Sequence, residues 1–139
     1  QQFARAEPVY LRVLAIQRRT LAADDVAVGA TLNDLASVYS ATGRDRLAVA
    51  ALEETVAIYE KRLGPDDLEL ALACNNLAES YRTLGLFDSA APLYARALAI
   101  REKVLGPDHP LVAVIVDTYA PPRDGPAVAV IDQGDTAGL

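Results

Sequence analysis

The chain has 139 residues, of which 52% are hydrophobic and 23% charged, and its formal net charge at pH 7 is −6. A chain of this length and composition can bury one core, which excludes a disordered protein, and no apolar run is long enough to span a membrane. The acidic balance argues against general nucleic-acid binding, because contacts to phosphates require a positive field.

Apolar residues recur three or four positions apart along most of the chain, which predicts a series of amphipathic helices. Short breaks that contain Gly, Pro or Asp separate these segments. In chain order the predicted helices are Phe3–Leu21, Val26–Thr42, Asp45–Leu63, Leu68–Leu84, Phe87–Leu105 and Pro110 to about Ala120. The two prolines that follow Ala120 stop the last helix.

The side of each helix that faces the core, and the residue that caps it, also follow from the pattern. The buried side of the first helix is predicted to contain Phe3, Ala6, Tyr10, Val13, Leu14 and Ile16. Asp24 or Asp25 is predicted to cap the second helix. The spacing of Asp66 and Glu69 is that of a capping box. Asp108 is placed to cap the last helix.

The chain repeats itself every 42 residues. When residues 26–67 are compared with residues 68–109, 14 of 42 positions are identical, among them Asn33/Asn75 and the motif Leu-Gly-Pro-Asp. Matching at a fixed offset is the sign of stacked repeats, in which no single repeat can bury its own apolar face.

Several of these positions form a known pattern of Leu, small residue, large aromatic, Gly, Ala, large residue and Ala. They are Leu35, Ala36, Tyr39, Gly43, Ala48 and Leu52, and then Leu77, Ala78, Tyr81, Gly85, Phe87, Ala90, Tyr94 and Ala97. The pattern resembles the tetratricopeptide repeat (TPR). The phrases LNDLASVY, CNNLAESY and APLYARALAIREKVLGPDHP are similar to the kinesin-light-chain variety of that repeat.

The resemblance implies an all-α, right-handed superhelical solenoid of antiparallel helix pairs. Residues 1–120 would form the array, with a half repeat at 3–25, full repeats at 26–67 and 68–109 and a truncated repeat at 110–120. Residues 121–139 would be a Pro/Gly-rich tail. Two residues depart from the family pattern: Thr55 replaces a small Ala, and Asp45 replaces an aromatic. We therefore expect the first full repeat to pack less tightly than the second.

In the family, the position of Asn33 and Asn75 faces a concave groove that binds partner peptides. The groove residues implied by the resemblance are Asn33, Ser37, Ser40, Leu72, Asn75, Glu79, Arg82 and Asp117. An alternative is that the two asparagines bond to adjacent helices and hold the repeats together. A carboxylate clamp is not expected, because Arg82 is the only basic residue in this set.

The predicted function is non-enzymatic recognition of a protein or peptide partner on the concave face. The alternative is a structural or oligomerising segment of a larger signalling protein, in which copies associate through the exposed end helix. No cofactor, metal, nucleic acid or membrane partner is expected. The sequence contains no nucleophile–base pair, phosphate-binding glycine loop or metal-ligand spacing.

His109 is the sole histidine, and it lies in a turn at the start of a helix. Cys74 has no second cysteine to pair with, so the composition indicates a reducing, cytoplasmic compartment. Because methionine is absent, the chain is expected to be a piece of a longer protein.

Overall fold

The computed structural model describes residues 2–113. They form five α-helices: α1 (Gln2–Thr20), α2 (Val26–Ala41), α3 (Asp45–Leu63), α4 (Leu68–Thr83) and α5 (Phe87–Leu105). Helical backbone resumes at residues 110–113. The predicted helices are confirmed to within one residue at each end, apart from the last one, most of which lies outside the described residues.

Long and short helices alternate, with 19 residues in α1, α3 and α5 and 16 in α2 and α4. Each helix packs on its neighbour in the chain, so α2 with α3 and α4 with α5 form the two helix pairs. Gly64 and Gly106 end the second and third long helices with φ angles of 90° and 92°. A side chain would be strained in this backbone conformation, which is open mainly to glycine.

The short helices are capped by residues that recur at the repeat period. Asp25 accepts a hydrogen bond from the Ala27 amide at 2.9 Å, and Asp67 accepts one from the Glu69 amide at 2.8 Å. At the third equivalent position, His109 Nδ1 accepts from the Leu111 amide at 3.2 Å.

Two predicted caps were therefore wrong by one residue. The cap of α4 is Asp67 and not Asp66, and His109 occupies the position expected for Asp108. The reason is that Asp66, which precedes the cap, accepts from Lys103 Nζ at 2.7 Å instead.

The cap of α4 gives a direct comparison between adjacent aspartates. Asp67→Ala is expected to lower the free energy of unfolding by about 0.5–2 kcal/mol, because it leaves a helix amide without its acceptor. Asp66→Ala removes only an exposed ion pair, for which about 0–1 kcal/mol is expected. Urea denaturation of both variants measures the difference, and a larger loss for Asp66→Ala would contradict this assignment.

The aspartate before each cap, Asp24 or Asp66, forms an ion pair with the end of the next long helix along the chain. Asp24 pairs with Lys61 and Arg62, each at 2.6 Å, in the same way that Asp66 pairs with Lys103 one repeat later. Hydrogen bonds from Lys61 and then Arg62 lower the pKa of Asp24 to about 2. The carboxylate is therefore charged, and the ion pair formed, over the whole neutral and mildly acidic range.

The core is one continuous cluster that runs through both helix pairs. The alanines predicted at the helix crossings are buried, with Ala36 at 2%, Ala78 at 0% and Ala48 at 0% exposure. Cys74 is fully buried within the same cluster. Burial raises the pKa of its thiol, so it is a small core residue rather than a reactive group.

Thr55, which departs from the family pattern, is accommodated in the core at its own position. It is fully buried, and its hydroxyl donates to the carbonyl oxygens of Ala51 at 3.0 Å and Gly29 at 3.2 Å. Gly29 allows α2 and α3 to lie this close together, because a side chain at this position would collide with Tyr59: its Cβ would lie 2.8 Å from a ring carbon.

The predicted buried side of α1 was partly wrong. No residue of α1 is buried; Phe3, Val13 and Ile16 are 48%, 37% and 42% exposed, whereas Ala6, Tyr10 and Leu14 are half-buried. The reason is that α2 is the described helix on which α1 mainly packs, and no described helix covers its other side.

Candidate binding groove

A groove of about 410 Å³ lies between α2 and α4, with α3 beneath it. This volume is within the range of sites that hold small ligands or individual side chains of a peptide. Ten residues line the groove: Asn33, Ala36, Ser37 and Ser40 of α2, Asp45 and Leu52 of α3, and Asn76, Glu79, Ser80 and Thr83 of α4.

The groove has a close-packed floor and a polar rim. Ala36, Leu52 and Ser80 form the floor and are at most 2% exposed. The remaining side chains are all polar, and those on α2 follow helical spacing, which places them on one face. The two short helices therefore present a row of hydrogen-bonding groups on each side of a buried base of small and apolar residues.

Four of the predicted site residues meet at this groove: Asn33, Ser37, Ser40 and Glu79. The other described ones are not part of its lining. Leu72 is 38% exposed elsewhere on α4, and Arg82 is bonded to Glu79. Asp117 lies outside the described residues.

The two asparagines at the shared repeat position differ in their surroundings. Asn33 Oδ1 accepts a hydrogen bond from Asn76 Nδ2 at 3.2 Å, so this residue both lines the groove and joins α2 to α4. Within residues 2–113, the buried Oδ1 of Asn75 has no hydrogen-bond partner. Of the two readings given for these residues, the inter-helix bond therefore holds for Asn33.

Sequence reasoning missed Asn76, Thr83 and Asp45. Asn76 is offset from Asn33 by 43 residues, one more than the repeat, so alignment at 42 selects Asn75 instead. Asp45 did carry a signal, because it stands where the family has an aromatic. Only the packing of α3 beneath the groove shows that this departure places a carboxylate at the site.

Glu79 is the centre of a hydrogen-bonded cluster at one side of the groove. Arg82 donates to both of its carboxylate oxygens, at 2.9 and 3.0 Å, and the Tyr94 hydroxyl donates to one of them. Burial alone would raise the pKa of Glu79, but the bonds from Arg82 and Tyr94 outweigh it and lower that pKa. Burial and the Glu79 charge raise the pKa of Tyr94, so its hydroxyl stays protonated and donates.

The part of the chain that the structure describes offers no other chemical centre. It contains no cluster of three or more His, Cys, Asp or Glu residues that could hold a metal ion. None of the described helices has the length and apolar character needed to cross a membrane.

Comparison with known families gives two matches to the tetratricopeptide repeat, over residues 1–61 and 70–111. Among solved structures, the chain is similar to the nearly identical TPR-like repeats of a Podosopora anserina protein assigned as a kinesin light chain. The sequence identity is 30% and the TM-score 0.80, and the match covers 86% of this chain and 56% of that one. A point variant of the same protein matches with a TM-score of 0.79.

BtubC (BKLC) from P. vanneervenii shares the fold, with a TM-score of 0.75 at 24% identity over 85% of this chain and 46% of that one. A comparison with curated proteins gave no significant match. The chain thus spans about half the length of the solved structures that it matches.

The chain belongs to the tetratricopeptide repeat family, and its repeats are of the kinesin-light-chain-like variety. This confirms the predicted all-α solenoid. Tetratricopeptide repeats are in general non-enzymatic modules that bind protein partners.

Proposed function

We propose that this chain is a cytoplasmic recognition module that holds a peptide segment of a protein partner in the groove between α2 and α4. The observation that carries the proposal is the groove itself, with a buried floor of small and apolar residues and a rim of polar side chains from two successive repeats. Such a combination suits a peptide, because a side chain can fill the base while polar groups bond to the backbone. The array over residues 1–120, with the tail at 121–139, is part of the same proposal.

The sharpest test is to fill the groove. A displayed library of random peptides would be selected on the wild-type chain, and the selected peptides would be measured against Ser37→Trp. Ser37 is exposed on α2 and lines the groove, so the indole would occupy the peptide's place without disturbing the core. We expect binding to weaken at least about tenfold, because the peptide side chain that anchors the interface can no longer enter the groove.

Ser89→Trp is the matched control, since Ser89 is an exposed helical serine on α5 outside the groove. It should bind the selected peptides as the wild type does. Equal binding by all three proteins, or a library that yields no binder, would contradict the proposal. Asn33→Ala combined with Asn75→Ala is a second test, but it also removes the bond between Asn33 and Asn76, so the steric variant is easier to interpret.

One observation favours the alternative, an assembly segment. Val9, Val13 and Ile16 on α1 are 60%, 37% and 42% exposed, whereas their equivalents one repeat later, Ala51, Thr55 and Ile58, are buried. A second molecule could therefore cover this face of α1. Light scattering separates the two functions: a monomer favours the peptide module, and a dimer that Ile16→Glu dissociates favours assembly. The end helix proposed for self-association, over residues 110–120, lies largely outside the described residues.

A further inference from the structure

We infer that the groove between α2 and α4 selects a basic side chain, a Lys or Arg of the partner peptide, and that Asp45 is its charged contact. This inference rests on the proposed function, and it adds the chemical class of the residue that the groove holds. Three features of the lining support it: the direction of its hydrogen bonds, its charge and the surroundings of Asp45.

Several groups in the groove lining have only acceptor capacity to offer a ligand. The Ser37 hydroxyl donates its proton to the Asn33 carbonyl oxygen at 3.3 Å, and the Thr83 hydroxyl donates to the Glu79 carbonyl oxygen at 3.0 Å. Both hydroxyls therefore offer only lone pairs to a ligand. The carboxylates of Asp45 and Glu79 are acceptors as well. A ligand group with several donors matches these acceptors, as an ammonium with three or a guanidinium with five does.

The charge of the lining has the same sign throughout. It contains two carboxylates and no Lys, Arg or His among the described residues. Arg82 neutralises one of these carboxylates, because it pairs with Glu79, whereas Arg44 pairs with Glu7 and stacks on Tyr39 at 5.0 Å. An acidic peptide residue would meet the uncompensated negative charge of Asp45 here, and a basic one would be attracted.

Asp45 differs from Glu79 in having no partner of its own. It is half-buried at the first residue of α3, and within residues 2–113 no ion pair or side-chain hydrogen bond involves it. Its equivalent in the next repeat is Phe87, so the charge is particular to this groove. Partial burial strengthens an ion pair with a ligand, because less solvent screens it.

The test uses the peptides selected on the wild-type chain, together with versions in which each Lys or Arg is replaced by Gln. Selection should enrich Lys or Arg at one peptide position. Asp45→Asn keeps the shape of the side chain and removes its charge, so binding of the basic peptide should weaken about fivefold to tenfold. Asp45→Asn should not affect binding of the Gln version of the peptide. A double-mutant cycle should therefore show that the substitution in the chain and the one in the peptide are coupled. The advantage of the basic peptide should also fall as salt is raised.

Asp88→Asn is the matched control, because Asp88 is likewise an acidic residue in the first turn of a long helix, but outside the groove. It should leave binding unchanged, whereas Asp45→Lys should shift selection toward Asp or Glu. The inference is overturned if Ser37→Trp abolishes binding but the selected peptides carry no common basic residue. It is also overturned if Asp45→Asn and Asp88→Asn weaken binding equally. If no peptide binds in a manner sensitive to Ser37→Trp, the proposed function fails and this inference fails with it.

Discussion

Replacing Tyr94 by alanine is expected to lower the free energy of unfolding by about 3–5 kcal/mol, the usual cost of removing a buried aromatic ring. Tyr94 lies on α5, is 2% exposed and is the largest fully buried side chain in the described chain. Since a domain of this kind is stable by about 5–15 kcal/mol, the loss is a large part of the total. Urea denaturation followed by circular dichroism measures it.

Two controls isolate the cause of this loss. Tyr94→Phe keeps the ring and removes the hydroxyl that donates to the Glu79 carboxylate, so about 1.5–3 kcal/mol is expected, the usual range for a hydrogen bond to a charged group. Tyr10→Ala removes a tyrosine at the same repeat position in α1, where it is half-buried, and should cost clearly less than Tyr94→Ala. Equal losses at Tyr10 and Tyr94 would show that α4 does not bury α5 as described.

The second large effect is expected from Ala78→Leu. Ala78 on α4 is completely buried in the core, and α4 packs on α5. Three additional carbon atoms cannot be accommodated without moving one helix, which typically costs about 1–3 kcal/mol and should lower the melting temperature by several degrees.

Ala99→Leu makes the same substitution at an exposed position inside α5, where little change is expected. Thermal melts of the two variants give the comparison. If the melting temperature of Ala78→Leu is that of the wild type, the helix crossing is placed at the wrong residue.

The repeat pattern was sufficient to predict the helices and most of the core. Leu35, Ala36 and Leu52 lie at motif positions of a complete repeat, where the residue type indicates burial, and all three are buried. The residue types on α1 did not predict which of its residues are buried. Val13 and Ile16 have the apolar character of covered positions, but whether they are covered depends on a neighbouring helix that the local pattern does not specify.

The groove was only half predictable for a related reason. Asn33, Ser37 and Ser40 were found because they lie on one face of a single helix at helical spacing. The residues opposite them belong to the next repeat, and the angle between successive helices decides which ones they are. That angle brings Asn76 to Asn33 and places Asp45 in the rim of the site, neither of which follows from the 42-residue period.

The lack of buried residues in α1 has a consequence for how the chain opens. Besides its packing on α2, α1 is joined to the rest of the array by exposed or half-exposed ion pairs, Arg18–Glu54 and Glu7–Arg44. Leu14 is the main contribution of α1 to the core, so detaching α1 exposes little buried apolar surface. In an array where each element contacts only its neighbours, such a segment opens without the others. Amide protons of α1 should therefore exchange with solvent fastest, and protection should rise toward the interior helices α3 and α4.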